Sequence, residues 1–296
     1  MTKRIVEVST EGCYLRCRHA QLVIEKEKEV LGKVPIEDMS ALIIDHPQTL
    51  ITQACLARLL EDDVMVVSSD SKHQPVGMFM PLQSNTLQTE RFKSQLSAST
   101  PLKKRIWKQL IQGKIRLQAK ILKDLTGKDA GLSVLAKKVR SGDPDNIEAQ
   151  AARRYWRRLF SESSFKRDRF ADDQNRYLNY TYAIIRALLA RSLCGAGLHP
   201  SIGIHHHNRY NAYCLADDLM EPYRPFVDLH VWEIVNEKGS DCEMDKTLRA
   251  NLLGIVKRQV KMETEMLTFQ GAMQKTAQSL VKAFNDKSQV LALPDV

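Results

Sequence analysis

The amino-acid sequence predicts an α+β protein: a small β-rich N-terminal domain over residues 1–85, β-sandwich-like with one helix, then a larger all-α domain over residues 86–296. Three observations predict it. Before Pro81 the apolar residues come in short, closely spaced runs rich in Val, Ile and Leu, the pattern of short strands. After Thr89 they recur at three- and four-residue steps, the pattern of helices with one buried face. Residues 81–89 carry the change without a Gly/Ser-rich linker, so the two parts are expected to be closely joined. A chain of 296 residues with 43% apolar content can bury a sizeable core.

In the first part, Ile5, Val6 and Val8 begin a strand. Tyr14 to Arg18 and Gln21 to Glu25 pair around a turn at His19-Ala20. Val30 to Val34 and Ala41 to Ile44 follow. Thr49 to Glu61 reads as the one helix, with Leu50, Ala54, Ala57 and Leu60 near a 3.6 period. Val64 to Val67 and Val76 to Met80 are the last strands. Such short runs favour meanders or a small sandwich over βαβ units. Asp45-His46-Pro47 reads as a turn between strand and helix, not as a site.

In the second part, Gln88 to Ala98 is the first helix. Thr100 caps the next and Pro101 takes its first position. That helix, Leu102 to Leu125, buries Ile106, Leu110, Leu117, Ile121 and Leu125. It displays Lys103, Lys104, Arg105, Lys108, Lys114, Arg116, Lys120 and Lys123. Leu132 to Val139 is shorter. Gly142 to Asn146 forms a turn that feeds a helix with Glu148 in its first turn. Ala151, Ala152, Tyr155 and Leu159 share one face of that helix, while Arg153, Arg154, Arg157 and Arg158 project elsewhere. Asp172 to Leu193 is a long central helix, capped by Asp172 or Asp173 and ended by Gly195 and Gly197. Helical structure resumes at Asp228 to Glu233. Leu248 to Val260 and Met262 to Phe284 read as amphipathic helices. Asp286 to Val296 reads as a loose tail whose Val290, Leu291 and Leu293 are available to dock on a partner.

The formal charge is +9, and its distribution is informative. Residues 101–170 hold 19 Lys and Arg against 7 Asp and Glu, a local excess of +12 that leaves 25 against 28 elsewhere. Positive charge concentrated in this way points to a polyanion, nucleic acid or an acidic membrane surface. No run of apolar residues is long enough to span a bilayer. The first residues, MTKRIVEVSTEG, lack the apolar block of a signal peptide, so a cytoplasmic protein is expected. The six cysteines form no CxxC pair and are expected to be reduced structural thiols.

The segment from Gly203 to Pro225, GIHHHNRYNAYCLADDLMEPYRP, is the densest in chemistry. If it is extended, His205 and His207 point one way and His206 the other. Asp218 and Glu221, three apart, share one face of a helical turn bounded by Pro222. Two carboxylates and one imidazole form an oxygen and nitrogen donor set suited to Mg²⁺ or Mn²⁺. Such an ion in a basic surround is equipped for phosphodiester chemistry. The residues alone leave other readings open. Glu148 serves equally well as an acid at a helix N-terminus, Asp218 and Glu221 as capping acids, and a histidine as a surface residue.

GDPDNIEAQAARRYW, followed by GIHHHNRYNAYCLADDLMEPYRPFVD, resembles the CRISPR-associated endonuclease/integrase of spacer acquisition. The form most resembled is the large acquisition subunit of type II loci. The resemblance spans both domains, a dimerising β-rich domain and a helical catalytic one. It implies Glu148, His206 and Glu221 as metal ligands and catalytic residues, with Asp218 in support. The histidine run leaves His205 as the second choice within the Gly-x-x-His motif. The family often has an aspartate where Glu221 stands. The resemblance also implies a Mg²⁺- or Mn²⁺-dependent transesterification, in which a DNA 3′-hydroxyl attacks a phosphodiester at a CRISPR repeat. Arg153, Arg154, Arg157, Arg158, Lys103 and Lys104 would then contact backbone phosphates of double-stranded DNA, both fragment and repeat. The implied partners are a second copy of the chain, the small companion acquisition protein and, for type II loci, the RNA-guided effector nuclease. Two further readings of the same residues are a metal-dependent nuclease on branched DNA and a non-catalytic DNA-binding scaffold.

Overall fold

The computed structural model describes residues 3–295 except 72, 74, 82–83, 161–164, 169 and 287–289. Among them no helix is long and apolar enough to cross a membrane. The chain divides into two compact units, residues 1–84 and 85–296.

The first unit contains, in chain order, β1 (Arg4–Val8), β2 (Tyr14–Arg18), β3 (Gln21–Lys26), β4 (Glu29–Pro35), β5 (Met39–Ile44), β6 (Leu50–Ile51), α1 (Gln53–Glu61), β7 (Met65–Ser69) and β8 (Pro75–Phe79). They form two four-stranded sheets, ordered β1-β5-β7-β8 and β4-β3-β2-β6. The β2–β3 hairpin turns through His19 and Ala20, and the β3–β4 hairpin through Glu27 and Lys28, all at positive φ. Two successive left-handed residues match the twist of the strands they join. Val8, Met39, Leu42 and Val66 of one sheet share a core with Leu15 and Leu22 of the other and with Cys55 and Leu59 of α1.

The expected preference for meanders over βαβ units fails in one place. β1, β5 and β7 are parallel, and α1 makes the crossover from β5 to β7. The apolar run Ala41 to Ile44 belongs to the central strand of that parallel set and is almost wholly buried. The helix also starts later than its periodicity suggests. Leu50 and Ile51 pair with β2, and the Thr52 hydroxyl then accepts from Cys55 N at 3.2 Å to cap α1.

The second unit contains α2 (Gln88–Ser97), α3 (Thr100–Thr126), α4 (Leu132–Lys138), α5 (Ile147–Leu159), α6 (Asn175–Gly195), α7 (Cys214–Met220), a 3-10 turn (Glu221–Tyr223), α8 (Arg224–Lys238) and α9 (Lys246–Leu253). A second 3-10 turn (Gly254–Lys257), β9 (Gln259–Met262), β10 (Glu265–Thr268), α10 (Phe269–Asn285) and β11 (Pro294–Asp295) complete it. Helices α3 and α6 supply much of the core, including Trp107, Leu110, Ile115, Tyr177, Ile185 and Leu189. Ser99, not Thr100, takes the cap position of α3, and Gly127 ends it at φ 76°.

The second unit is the expected helical domain with one small sheet added. β9, β10 and β11 form a small sheet in the order β10-β9-β11, where the sequence pattern suggested helices. Val260 and Met262 are buried while Gln259 and Lys261 are exposed, the two-residue period of a strand. Glu263 at φ 57° provides the turn to β10.

The C-terminal segment is also not a loose tail. Leu291 N donates to Gln109 Oε1 at 2.9 Å, Ala292 N to Ser279 Oγ at 3.1 Å, and Thr276 Oγ1 to Ala292 O at 2.7 Å. Gly113 of α3 has no side chain because Leu293 packs there, with Leu293 Cδ1 3.0 Å from where a Cβ would be. Leu291 and Leu293 thus pack on their own chain, whereas Val290 is exposed. Residues 287–289 and 296 of this segment lie outside the described residues.

Candidate active site

The site is assembled in the second unit by α3, α5, the loop before α7, and the turn between α7 and α8. Glu148 is placed by the start of α5. Asp143 accepts from Ile147 N and Glu148 N, each at 2.9 Å, and Asn146 Oδ1 accepts from Ala149 N at 3.3 Å. These acceptors satisfy amides that an α-helix leaves unpaired in its first turn. The turn itself is fixed to α3, because Gly142 N donates to Lys104 O at 2.9 Å. At Gly142, with φ 79°, a side chain would press on the Lys104 stem.

The histidine loop is organised by Asp218. This fully buried carboxylate accepts from Ile204 N at 2.6 Å, His205 N at 3.0 Å and His206 N at 3.1 Å, and pairs with His206 Nδ1 at 2.7 Å. Gly203 permits the tight bend. A Cβ there would lie 2.1 Å from His206 O and 3.1 Å from Asp218 Oδ2. The glycine three residues before His206 therefore has a steric cause. His206 and His205 end in different surroundings. The His206 ring is held through Nδ1, and its pKa is raised, chiefly by the bond to Asp218. The His205 ring stacks on Trp107, with centroids 4.0 Å apart and planes 3° from parallel, and burial lowers its pKa. His207 is exposed, with Nδ1 2.7 Å from His205 O.

Glu221 is buried at the start of the turn that Pro222 stiffens. Its two oxygens meet two cations. Lys114 Nζ donates to Oε2 at 2.5 Å, and Arg224 Nε to Oε1 at 2.7 Å. Burial alone would raise the Glu221 pKa, but Arg224 and Lys114 outweigh it and hold it down at about 2. Lys114 also donates to Glu148 Oε1 at 2.7 Å, so one ammonium joins the two glutamates. Its own pKa is raised because Glu221 and Glu148 together overcome burial. Behind Glu221, the Arg224 guanidinium lies 4.8 Å from the centre of the Tyr182 ring, and Tyr182 Oη donates to the buried carboxyl of Asp228. Burial raises Asp228 to about 7, against the opposing pull of Tyr182, Arg224 and Lys114.

Among the described residues, no three His, Cys, Asp or Glu side chains converge as a ready-made metal cage. The donor chemistry nevertheless fits a hard divalent ion. Glu148 and Glu221 already share one cation, the Lys114 ammonium. The His206 ring is oriented by a carboxylate on Nδ1, an arrangement that leaves Nε2 to act as ligand. Asp218 does not fit as a ligand, since both its oxygens are occupied by the loop amides and the ring.

Arg153, Arg154, Arg157 and Arg158 are exposed on α5, and Tyr155 between them is buried. Lys104 is exposed on α3 and Lys103 is half-buried. Lys114 corrects the sequence reading, which placed it on the displayed face of the helix. It is 7% exposed. The signal was present: Lys114 lies four residues after Leu110 and three before Leu117, inside the apolar stripe. Trp107 and Arg224 were also missed. Trp107 follows Ile106 on the buried face, and Arg224 lies three residues beyond Glu221.

A family model described as CRISPR associated protein Cas1 matches residues 6–258. The chain belongs to the Cas1 family. The CRISPR-associated endonuclease Cas1 of Neisseria meningitidis is 35% identical over 300 residues, covering 100% of this chain and 97% of its own length. A casposase bound to integration product has the same fold, with a TM-score of 0.79 at 19% identity over 99% of this chain and 93% of that one. A chain of a Cas6-RT-Cas1–Cas2 complex also has it, with a TM-score of 0.79 at 20% identity, covering 100% of this chain and 36% of that one. The family read from the two sequence motifs is thereby borne out.

Proposed function

We propose that this Cas1-family protein is a divalent-metal-dependent DNA endonuclease and integrase that inserts short DNA fragments into a CRISPR array. The observation that carries the reading is the convergence of Glu148 and Glu221 on one cation, at 2.7 and 2.5 Å, beside a histidine ring held by Asp218. Glu148, Glu221 and His206 Nε2 are the ligands in this reading, and Mg²⁺ or Mn²⁺ would act as a Lewis acid at the scissile phosphate. Arg224 keeps Glu221 ionised throughout the neutral range. Asp218 fixes the backbone of residues 204–206 and the ring of His206, so the imidazole donor needs no reorganisation. His205 supports the loop through its stack on Trp107. The fragment's 3′-oxygen bonds to phosphorus as the repeat's own 3′-oxygen departs. The proton lost by the first is gained by the second, and one phosphodiester replaces another.

Arg153, Arg154, Arg157, Arg158, Lys103 and Lys104 supply backbone phosphate contacts in this reading, which makes affinity strongly dependent on salt. The β-rich unit serves as the dimerising domain. Val30 and Leu31 on edge strand β4, and Val76 and Phe79 on edge strand β8, are exposed apolar residues suited to a second copy. A Cas2-type companion completes the assembly, which works in the cytoplasm. For a type II locus the effector nuclease joins it. The test is joining of a short duplex with free 3′-ends to a repeat-bearing plasmid, with Mn²⁺ or Mg²⁺ and the companion protein. Joined product is expected with the natural chain and none with Glu148→Ala or Glu221→Ala. Absence of product in the first case, or undiminished product in the second, refutes the catalytic assignment.

A further inference from the structure

Lys114 is the only charged residue on the buried face of α3, and its ammonium is placed where two carboxylates can both reach it. We infer that Lys114 is a resident counter-ion of the metal site: it holds Glu148 and Glu221 together while no metal is bound, and a divalent cation displaces it from them. This rests on the reading of Glu148 and Glu221 as ligands.

Three features of the site carry the inference. The first is position. Nζ is 2.7 Å from Glu148 Oε1 and 2.5 Å from Glu221 Oε2, so an ion shared by those oxygens must take the space the ammonium holds. Two like charges cannot be accommodated side by side there without strong repulsion.

The second is the difference between the two cations at Glu221. Arg224 pairs with Oε1 of Glu221, and among the described residues Glu148 has its ion pair with Lys114. The Arg224 guanidinium is also held against the Tyr182 ring. It can stay while Oε2 changes partner. Lys114 is a point charge on a flexible four-carbon stem, and so it is the cation able to swing aside.

The third is charge. Glu148 and Glu221 carry two negative charges, and Lys114 and Arg224 balance them. Without Lys114, two carboxylates one ammonium apart would repel each other, and the buried one would face that repulsion with Arg224 alone. The lysine therefore stabilises the metal-free fold and competes with the metal. A purely structural lysine would do the first and not the second.

The experiment is a Mn²⁺ titration by calorimetry on the full chain, with thermal melts run in parallel. The variants are Lys114→Met, Lys114→Gln, Glu148→Gln and Glu221→Gln. The glutamine at 114 keeps an N–H donor for the carboxylates and so guards against a variant that fails to fold. Lys114→Met and Lys114→Gln are expected to bind Mn²⁺ roughly tenfold or more tightly than the natural chain. They should melt lower without metal, and saturating Mn²⁺ should raise their Tm more than it raises that of the natural chain. Glu148→Gln and Glu221→Gln should lose the Mn²⁺ isotherm. If the glutamate variants lose binding but neither Lys114 variant binds more tightly, the counter-ion role is overturned and the ligand assignment stands. If the glutamate variants bind as the natural chain does, the ligand assignment falls, and the counter-ion role with it.

Discussion

Replacing Asp218 with asparagine isolates the part of the site that orients the histidine without replacing a proposed ligand. Asp218 Oδ1 serves His206 N and Nδ1, and Oδ2 serves Ile204 N and His205 N. An amide has one acceptor oxygen. Turned one way, its NH₂ faces the Ile204 and His205 amides, and two donors lose their acceptor; turned the other, it faces the His206 amide, which loses its acceptor, and Nδ1, which can accept in its other tautomer. Each orphaned donor costs roughly 1–3 kcal/mol, so Asp218→Asn should destabilise by about 1–6 kcal/mol. For a folding unit of this size that is a fall in Tm of about 2–4 °C at the least and several times that at the upper end. The ring of His206 also loses its anchor, and Mn²⁺ affinity should fall roughly 10- to 100-fold.

The loss has a pH signature. The His206 pKa is raised in the folded protein, mainly by Asp218. The stability this contributes is complete below the unfolded value and disappears as pH rises through the folded one. The gap in Tm between natural and variant chains should therefore be wider at about pH 6 than at about pH 8. Thermal melts at the two pH values and a Mn²⁺ titration check it. A Tm within about 2 °C of the natural chain, with unchanged Mn²⁺ affinity, would show that the loop holds itself.

Gly203→Ala places a methyl 2.1 Å from His206 O, so the loop must move. Integration should fall by roughly 10²-fold in a plasmid-joining assay, and normal activity would mean that the loop is not part of the site. Arg157→Ala and Arg158→Ala should each reduce the slope of log K against log salt by about one in DNA-binding titrations. An unchanged slope removes these residues from the DNA interface. Asp228 has its pKa raised from 3.8 to about 7, so the native state holds a proton that the unfolded chain has released. Stability of the natural chain should therefore fall as pH rises between those values, and Asp228→Asn should lack that slope and melt higher at about pH 8. Parallel pH profiles for the two chains would refute the assignment.

The features legible in the sequence are those set by local chemistry. The Gly142–Asn146 turn was readable because left-handed and capping residues have few alternatives, and it places Glu148 through Asp143 and Asn146. The His19-Ala20 hairpin was readable for a similar reason. What was missed depends on long-range packing. The parallel set β1-β5-β7 requires strands distant in sequence to pair around α1. A four-residue strand such as Gln259–Met262 shows too few alternations to compete with the helical pattern on either side. Lys114 was misplaced because a lysine in an amphipathic helix is ordinarily solvated, and only the two glutamates brought from Ile147–Leu159 and the Glu221–Tyr223 turn make its burial tolerable.

Asp218 and Glu221 show why spacing alone could not divide the labour. The two acids are three residues apart and both are buried, so the pattern invites one role for both. Their partners differ in kind. Asp218 ends inside α7 and points at the loop, where four N–H donors use all of its acceptor capacity. Glu221 lies where α7 gives way to the 3-10 turn at Pro222, and its oxygens meet two side-chain cations. Backbone amides cannot leave without unfolding the loop, whereas an ammonium on a flexible stem can. An acid bound by backbone donors is therefore committed to structure, and one bound by an exchangeable cation remains available to a metal. By that criterion Glu148, which shares the same ammonium, stands with Glu221 and apart from Asp218.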